Sequence, residues 1–276
     1  MKSKYFSVEV KPIITTQPSN FAANDVLFDW TRFEIPVGTA RLISIVATVP
    51  GTDGAAANEI DKDIFFAKSI DGIEPPTLGN SNAAISNANA IAARPYMIAG
   101  GYFDASELGS LGGAFTSFNL YSGQLLCSGA STGLSHFNAH IVLEGERAEK
   151  TTFVSGGNTV YGTPGYQTIY MAAACRGAFN FGTGMLVDHP SGGGGVYASG
   201  TTSINLDGTA GDILVAPGDR LIAINDGAVM GEVEAVSDDG SHTTLTIKSP
   251  GLTQAVQDGD EIGLQNPITY RLGFEY

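Results

Sequence analysis

The stretch GDRLIAINDGAVMGEVEAV, residues 218–236, reads as strand, turn, strand. Leu221 and Ala223 alternate with Ile222 and Ile224, and Val233 sits between Glu232 and Glu234, the period of two that marks a half-buried strand. Asp226-Gly227 falls between the two runs. It supplies the positive φ of a two-residue hairpin, which leaves the glutamates facing solvent. Working outward, TSINLDG, DILVAPGDRLIAIND, TTLTIKS and DEIGL continue the same rhythm. Short strands of this spacing predict a small β-barrel over residues 201–265. Residues 197–276 hold twelve acidic side chains against three basic ones, so the barrel is acidic.

Upstream lies DHPSGGGGVYASGTT (188–202), where four glycines follow a proline. Residues 191–200 read as a flexible linker between a first domain, 1–190, and the barrel. A phosphate-binding glycine loop would need a following helix and a lysine, and neither is present. The final segment, 266–276, alternates Ile268, Tyr270, Leu272 and Phe274 on one parity. A strand there needs a sheet to join, and returning to the first domain would make the barrel an insertion.

The first domain reads as a β-sandwich or jelly roll. Phe6, Val8 and Val10 alternate near the N-terminus, a half-buried strand with no secretory core, in keeping with synthesis in a cytoplasm. In DVLFDWTRFEIP, Val26, Phe28 and Trp30 share one parity and Phe33 and Ile35 the other, which predicts a bulge near Thr31–Arg32. ARLISIVATV (40–49) is apolar on both parities and predicts a central strand buried on both faces. DIFFAKSIDG (63–72) ends in an Asp-Gly turn. Residues 75–125 are rich in Asn, Ala, Ser and Gly and read as long loops, contact arms that order on a partner, with one short helix after Asp104 or Ser106. Strand pattern resumes at 135–146 and at 168–187.

Composition narrows the function classes. Of 276 residues only 15% are charged, well under the usual quarter, and the net charge is −14. Scattered cations on such a chain argue against nucleic acid and anionic lipid as partners. No apolar run approaches the length that spans a membrane. Cys127 and Cys175 are too few for a disulfide framework or a zinc site.

The chemical motifs are weak. GASTG (129–133) places Ser131 in a nucleophile-elbow pattern, but a strand rather than a helix follows it. His136 and His140 are four apart without the glutamate of a zinc-binding helix, and His189 and His242 fall in loops. The acids at Asp219, Asp226, Asp238, Asp239, Asp258, Asp260 and Glu261 lack calcium-loop spacing and suit hairpin turns. A carboxylate pair for glycoside hydrolysis needs only two acids at the right separation, and spacing selects none. No catalytic, cofactor-binding or metal-binding residue is assigned.

The acidic module GDRLIAINDGAVMGEVEAV…TTLTIKS…AVQDGDEIGL, about a quarter of the chain, resembles the small β-barrel domains of tailed-bacteriophage virion proteins. FDWTRFEIPVGTARLISIVATVPG and DIFFAKSIDG are compatible with a virion β-sandwich. The resemblance implies an all-β capsid decoration (cement) protein located in the virion. Its expected partners are the major capsid protein and copies of itself, with a homotrimer favoured. It carries no catalytic residues and no cofactor. Rigid β-modules, arms that order on a shell and a charge that keeps free subunits apart fit that role, and the N-terminal strand could add to a neighbour's sheet edge. A phage tail, fibre, baseplate or adaptor component is the alternative. A serine or glycoside hydrolase is the second.

Overall fold

The structure, a computed structural model, describes residues 4–14, 20–50, 61–103, 109–110, 115–121, 141–148, 152–155, 158–178, 181, 185–208, 215–224 and 227–276. It is all-β apart from one short helix and one 3-10 turn. Seven strands build most of a sandwich: β1 (Tyr5–Val10), β2 (Val26–Pro36), β3 (Ala40–Pro50), β4 (Lys62–Lys68), β5 (Met97–Phe103), β6 (Phe115–Tyr121) and β7 (Tyr166–Cys175). Six more close a barrel: β8 (Met185–Asp188), β9 (Ser203–Asp207), β10 (Arg220–Ala223), β11 (Val229–Asp238), β12 (His242–Ile247) and β13 (Glu261–Leu264). The last strand, β14 (Thr269–Glu275), returns to the sandwich.

One sandwich sheet runs β1-β14-β3-β6 and the other β2-β7-β4-β5, with antiparallel neighbours throughout. Four main strands of each sheet thus follow the jelly-roll wind, and short strands extend the two sheets to six and five. Their inner faces share one apolar core. Leu27, Phe28, Phe33 and Ile35 of β2 and Ile169, Met171 and Ala173 of β7 meet Leu42, Ile45 and Ala47 of β3 and Tyr270, Leu272 and Phe274 of β14. Aromatic rings bridge the layers: Phe28 to Tyr270 at 5.7 Å and Phe33 to Phe274 at 6.4 Å between centroids. The N-terminal alternation is realised, since Val10 is buried and Phe6 and Val8 pack on the core. That strand pairs with β14 and forms one edge of its sheet.

The bulge in β2 lies slightly earlier than the sequence suggests. Register slips opposite Met171–Ala173 and again opposite Ala173–Ala174, at Thr31–Phe28 and Phe28–Val26. These slips turn Phe28 into the core and leave Trp30 on the outer face, where its indole donates to Pro76 O at 2.9 Å. Alternation could not locate the change because both faces of this strand are apolar.

Residues 69–96 are not free arms. They fold back over the outer face of β2-β7-β4, where Leu78, Ile85 and Ala93 pack against Val26, Trp30, Phe65 and Ala172. Asp29 accepts hydrogen bonds from the Leu78 amide at 3.0 Å and from the Thr77 hydroxyl. The Asp71-Gly72 turn forms as read, with positive φ at both residues and paired Ile70 and Ile73. The helix, α1 (Asn87–Ala93), lies inside this cover rather than after Asp104 or Ser106, residues that fall outside the described ones. Its signals were a serine N-cap, Ser86 accepting from the Asn89 amide at 3.1 Å, and Pro95 just past its end. Beyond it, 97–103 and 115–121 are sandwich strands and not loops.

The barrel is an insertion between β7 and β14. It closes in the order β8-β9-β12-β11-β10-β13, with β13 pairing back to β8. Its core is separate from that of the sandwich and includes Val187, Ile204, Leu206, Leu221, Val233, Leu245, Ile247 and Ile262. It therefore starts at Met185, and residues 191–200 lie between two of its own strands instead of linking two domains. Those glycines are held in consecutive turns. The Gly192 amide donates to His189 O at 2.7 Å, the Gly195 amide to Gly192 O at 2.9 Å, and the Asp258 amide to Gly195 O at 2.9 Å. Composition suggested slack; the positive φ of Gly192 and Gly194 is used to wind the chain tightly. A Cβ on Gly195 would collide with the His189 imidazole. Gly195→Ala should cost about 1–3 kcal/mol of barrel stability by overpacking. His189→Ala in the same chain should recover most of it; equal midpoints in urea for the single and double variants would refute the collision.

Candidate functional site

The residues around the barrel turns were the strongest candidates for ligand chemistry, and the structure gives most of their carboxylates a backbone partner. Asp219 accepts from the Ala216 amide at 2.8 Å, Asp258 from His189 N at 2.8 Å, and Asp260 from Gln257 N at 2.6 Å. Asp238 accepts from the Gly240 amide at 2.7 Å, and Asp239 from the amides of Ser241 and His242, both at 2.8 Å. These are side chains that replace missing backbone acceptors at tight bends. Burial raises the Asp219 carboxyl pKa, while its Ala216 hydrogen bond pulls the other way. The hairpin after β10 is longer than read. Ala223 and Ala228 face each other, Ala223 N donating to Ala228 O at 2.9 Å and Gly227 N to Ala223 O at 2.8 Å. The closing pair is therefore Ala223–Ala228, and Asp226 lies outside the described residues.

The two described histidines meet different partners. His242 Nε2 lies 3.2 Å from Asp188 Oδ2, and its Nδ1 lies 3.8 Å from Asp239 Oδ2. His189 packs edge-on to Tyr197 at 4.6 Å and accepts from the Ser191 amide at 3.2 Å. Tyr197 in turn donates to Asp188 O at 2.9 Å. The cluster fastens β8 and the glycine turns to the barrel. Among the described residues no three His, Cys, Asp or Glu side chains are placed to hold one metal ion. Ser131, His136, His140 and Cys127 lie outside the described residues.

No protein-family model matches this sequence, and no curated protein is similar to it. The case for function therefore rests on the chain's own geometry. Among the described residues no helix is long and apolar enough to cross a membrane.

Two polar groups that sequence reasoning passed over sit in the sandwich. Tyr170, almost fully buried, donates from Oη to Glu74 Oε1 at 3.1 Å, anchoring the 69–96 cover to β7. Burial, and then the neighbouring Glu74 carboxylate, raise its phenol pKa. At the barrel end, Lys62 is fully buried opposite Cys175 on β7. Its signal was visible, because Lys62 shares parity with Ile64 and Phe66. Desolvation brings its ammonium down to about 8 and pushes the Cys175 thiol up to about 12, the opposite of an activated nucleophile. What the arrangement offers instead is surface. One outer sheet face is covered by 69–96, the other exposes Tyr5, Glu9 and Arg271, and an acidic module is mounted where β7 ends.

Proposed function

We propose that this chain is a structural protein of a tailed-phage virion. It is a capsid decoration (cement) protein that binds the major capsid protein on the head shell and associates with copies of itself. The observation that carries the reading is the mounting of a second closed β-module on a jelly roll filled with apolar side chains. Jelly rolls recur in viral capsids, and they also occur in lectins and cupins. The hydrogen-bonded junction supports a role as a clamp. Ile14 N donates to Gln265 O at 3.1 Å, and Asn266 Nδ2 donates to Lys11 O at 3.0 Å and to Pro12 O at 2.9 Å. The barrel is thereby stapled to the segment that leaves β1. Twelve acids against Arg220 and Lys248 over residues 185–264 give this module a field that repels other copies in solution and suits a cationic docking site.

The test mixes purified protein with emptied phage heads. Saturable binding that raises the temperature of head rupture is the expected result. Heads that neither retain the protein nor gain heat resistance overturn the reading, and labelling of tail tips under the microscope replaces it with a tail component.

A further inference from the structure

The sequence of β3 is apolar on both parities, yet the described residues bury only one of its faces. Leu42, Ile45 and Ala47 enter the core, while Ile43 and Val46 remain half-buried on the outside. The second sheet has the same two-sided character at Val26, Trp30, Phe65 and Ala172, and there residues 69–96 lie over it. On the outer face of the other sheet, Tyr5, Ser7, Glu9, Arg271 and Val142 are exposed.

The registers lay out that face in rows. Tyr5, Glu275, Arg41 and Val142 form the first, Ser7, Gly273 and Ser44 the second, and Glu9, Arg271 and Val46 the third. The middle row is low, and a Cβ on Gly273 would run into Ser44. Tyr5 is 71% exposed and Val142 47%. The charges of the face are paired within it. Lys11 lies 2.7 Å and Arg271 3.1 Å from Glu9, and Arg41 contacts Glu275. Three cations thus meet two acids on a chain of net charge −14. On the barrel, with twelve acids against two bases over residues 185–264, an approaching copy meets like charge. On this face it does not, and alternating signs can be matched.

We propose that this face is the contact between two copies of the chain, related by a two-fold axis that crosses the strands along the Ser7–Gly273–Ser44 row. Such an axis exchanges the first and third rows. It sets Arg271 of one copy over Glu275 of the other, twice, and brings Ser7 opposite Ser7, the self-complementarity a two-fold contact requires. Aligned sheets pack about 10 Å apart, with side chains of both faces between them. The half-exposed Ile43 and Val46 then acquire the cover that their sequence calls for. This assigns a surface to the self-association in the reading above, but it is tested without any phage head, so the two can fail separately.

Sedimentation equilibrium of the full chain should give a species of twice 28.6 kDa. Ser7→Arg, which sets two cations face to face on an exposed position, should weaken it at least tenfold while leaving the far-UV spectrum and melting of the monomer unchanged. Ser7→Cys should be joined into a covalent dimer by a short bis-maleimide, and Ser241→Cys on the barrel should not. A wild-type chain that stays monomeric at several hundred micromolar, a trimer insensitive to Ser7→Arg, or equal cross-linking from both cysteine positions overturns the proposal.

Discussion

Phe274→Ala is expected to cost about 3–5 kcal/mol, the range for emptying a buried aromatic site. That is a large part of the roughly 5–15 kcal/mol that holds a domain together. Phe274 is fully buried and stacks on Phe33 of the facing sheet. It lies on β14, the strand that joins β1 to β3, so its loss loosens three strands at once. The effect should be confined to the sandwich, because the two cores share no residue. The single tryptophan, Trp30, lies in the sandwich and gives a local signal. Its fluorescence transition in urea should move to lower denaturant in Phe274→Ala. Leu245→Ala, in the barrel core, should leave that transition nearly in place while lowering a barrel transition followed by hydrogen exchange. If the two variants shift both transitions equally, the modules unfold as one body and the division into separate cores has no energetic meaning.

What could be read in advance follows from which signals are local. Alternation identified most of the strands, and Asp71-Gly72 identified its turn, because each is decided within a few residues. Pairing is decided at a distance: nothing in residues 269–275 names β1 and β3 as neighbours, although the unsatisfied alternation there demands some sheet. The glycines at 192–195 misled because composition counts freedom and not use. His189 and Asp258, which fix that loop, are supplied by one adjacent residue and by another more than sixty positions away. Residues 75–96 misled for a related reason. Their low periodicity suits a segment lying on a sheet through Leu78, Ile85 and Ala93 and through hydrogen bonds such as Asp29 to Leu78, none of which repeats regularly. As for the site, the acids could be assigned to turns from spacing alone, whereas the exposed face of β1 and β14 emerges only once the other sheet is seen to be covered.

Lys62→Met should abolish a rise in stability of about 1 kcal/mol between pH 8 and 9, and the shape of its pH profile identifies the cause. Burial depresses the Lys62 ammonium from its ordinary 10.5 to about 8, with Cys175 and Asp61 pulling back against that shift. Below pH 8 both folded and unfolded chains are protonated there, and folding bears the whole cost, roughly 3 kcal/mol for a shift of this size. Between about 8 and 10.5 the unfolded chain holds more protons, so stability rises with pH. The Cys175 thiol acts in the other direction. Burial raises it from 9.0 to about 12, so above pH 9 the unfolded chain loses a proton that the folded chain keeps, and stability falls. The buried phenols of Tyr170 and Tyr270, both raised by desolvation, add to the fall above pH 10. The net rise is therefore confined to about pH 8–9 and is cancelled beyond it. Urea midpoints taken from pH 7 to 11 should show that rise in the native chain and none in Lys62→Met, which should decline from pH 9 onward. In Cys175→Ala the rise should extend to about pH 10 before the tyrosines reverse it. Parallel profiles for the native chain and Lys62→Met would mean that the buried ammonium is not desolvated as its position in β4 requires.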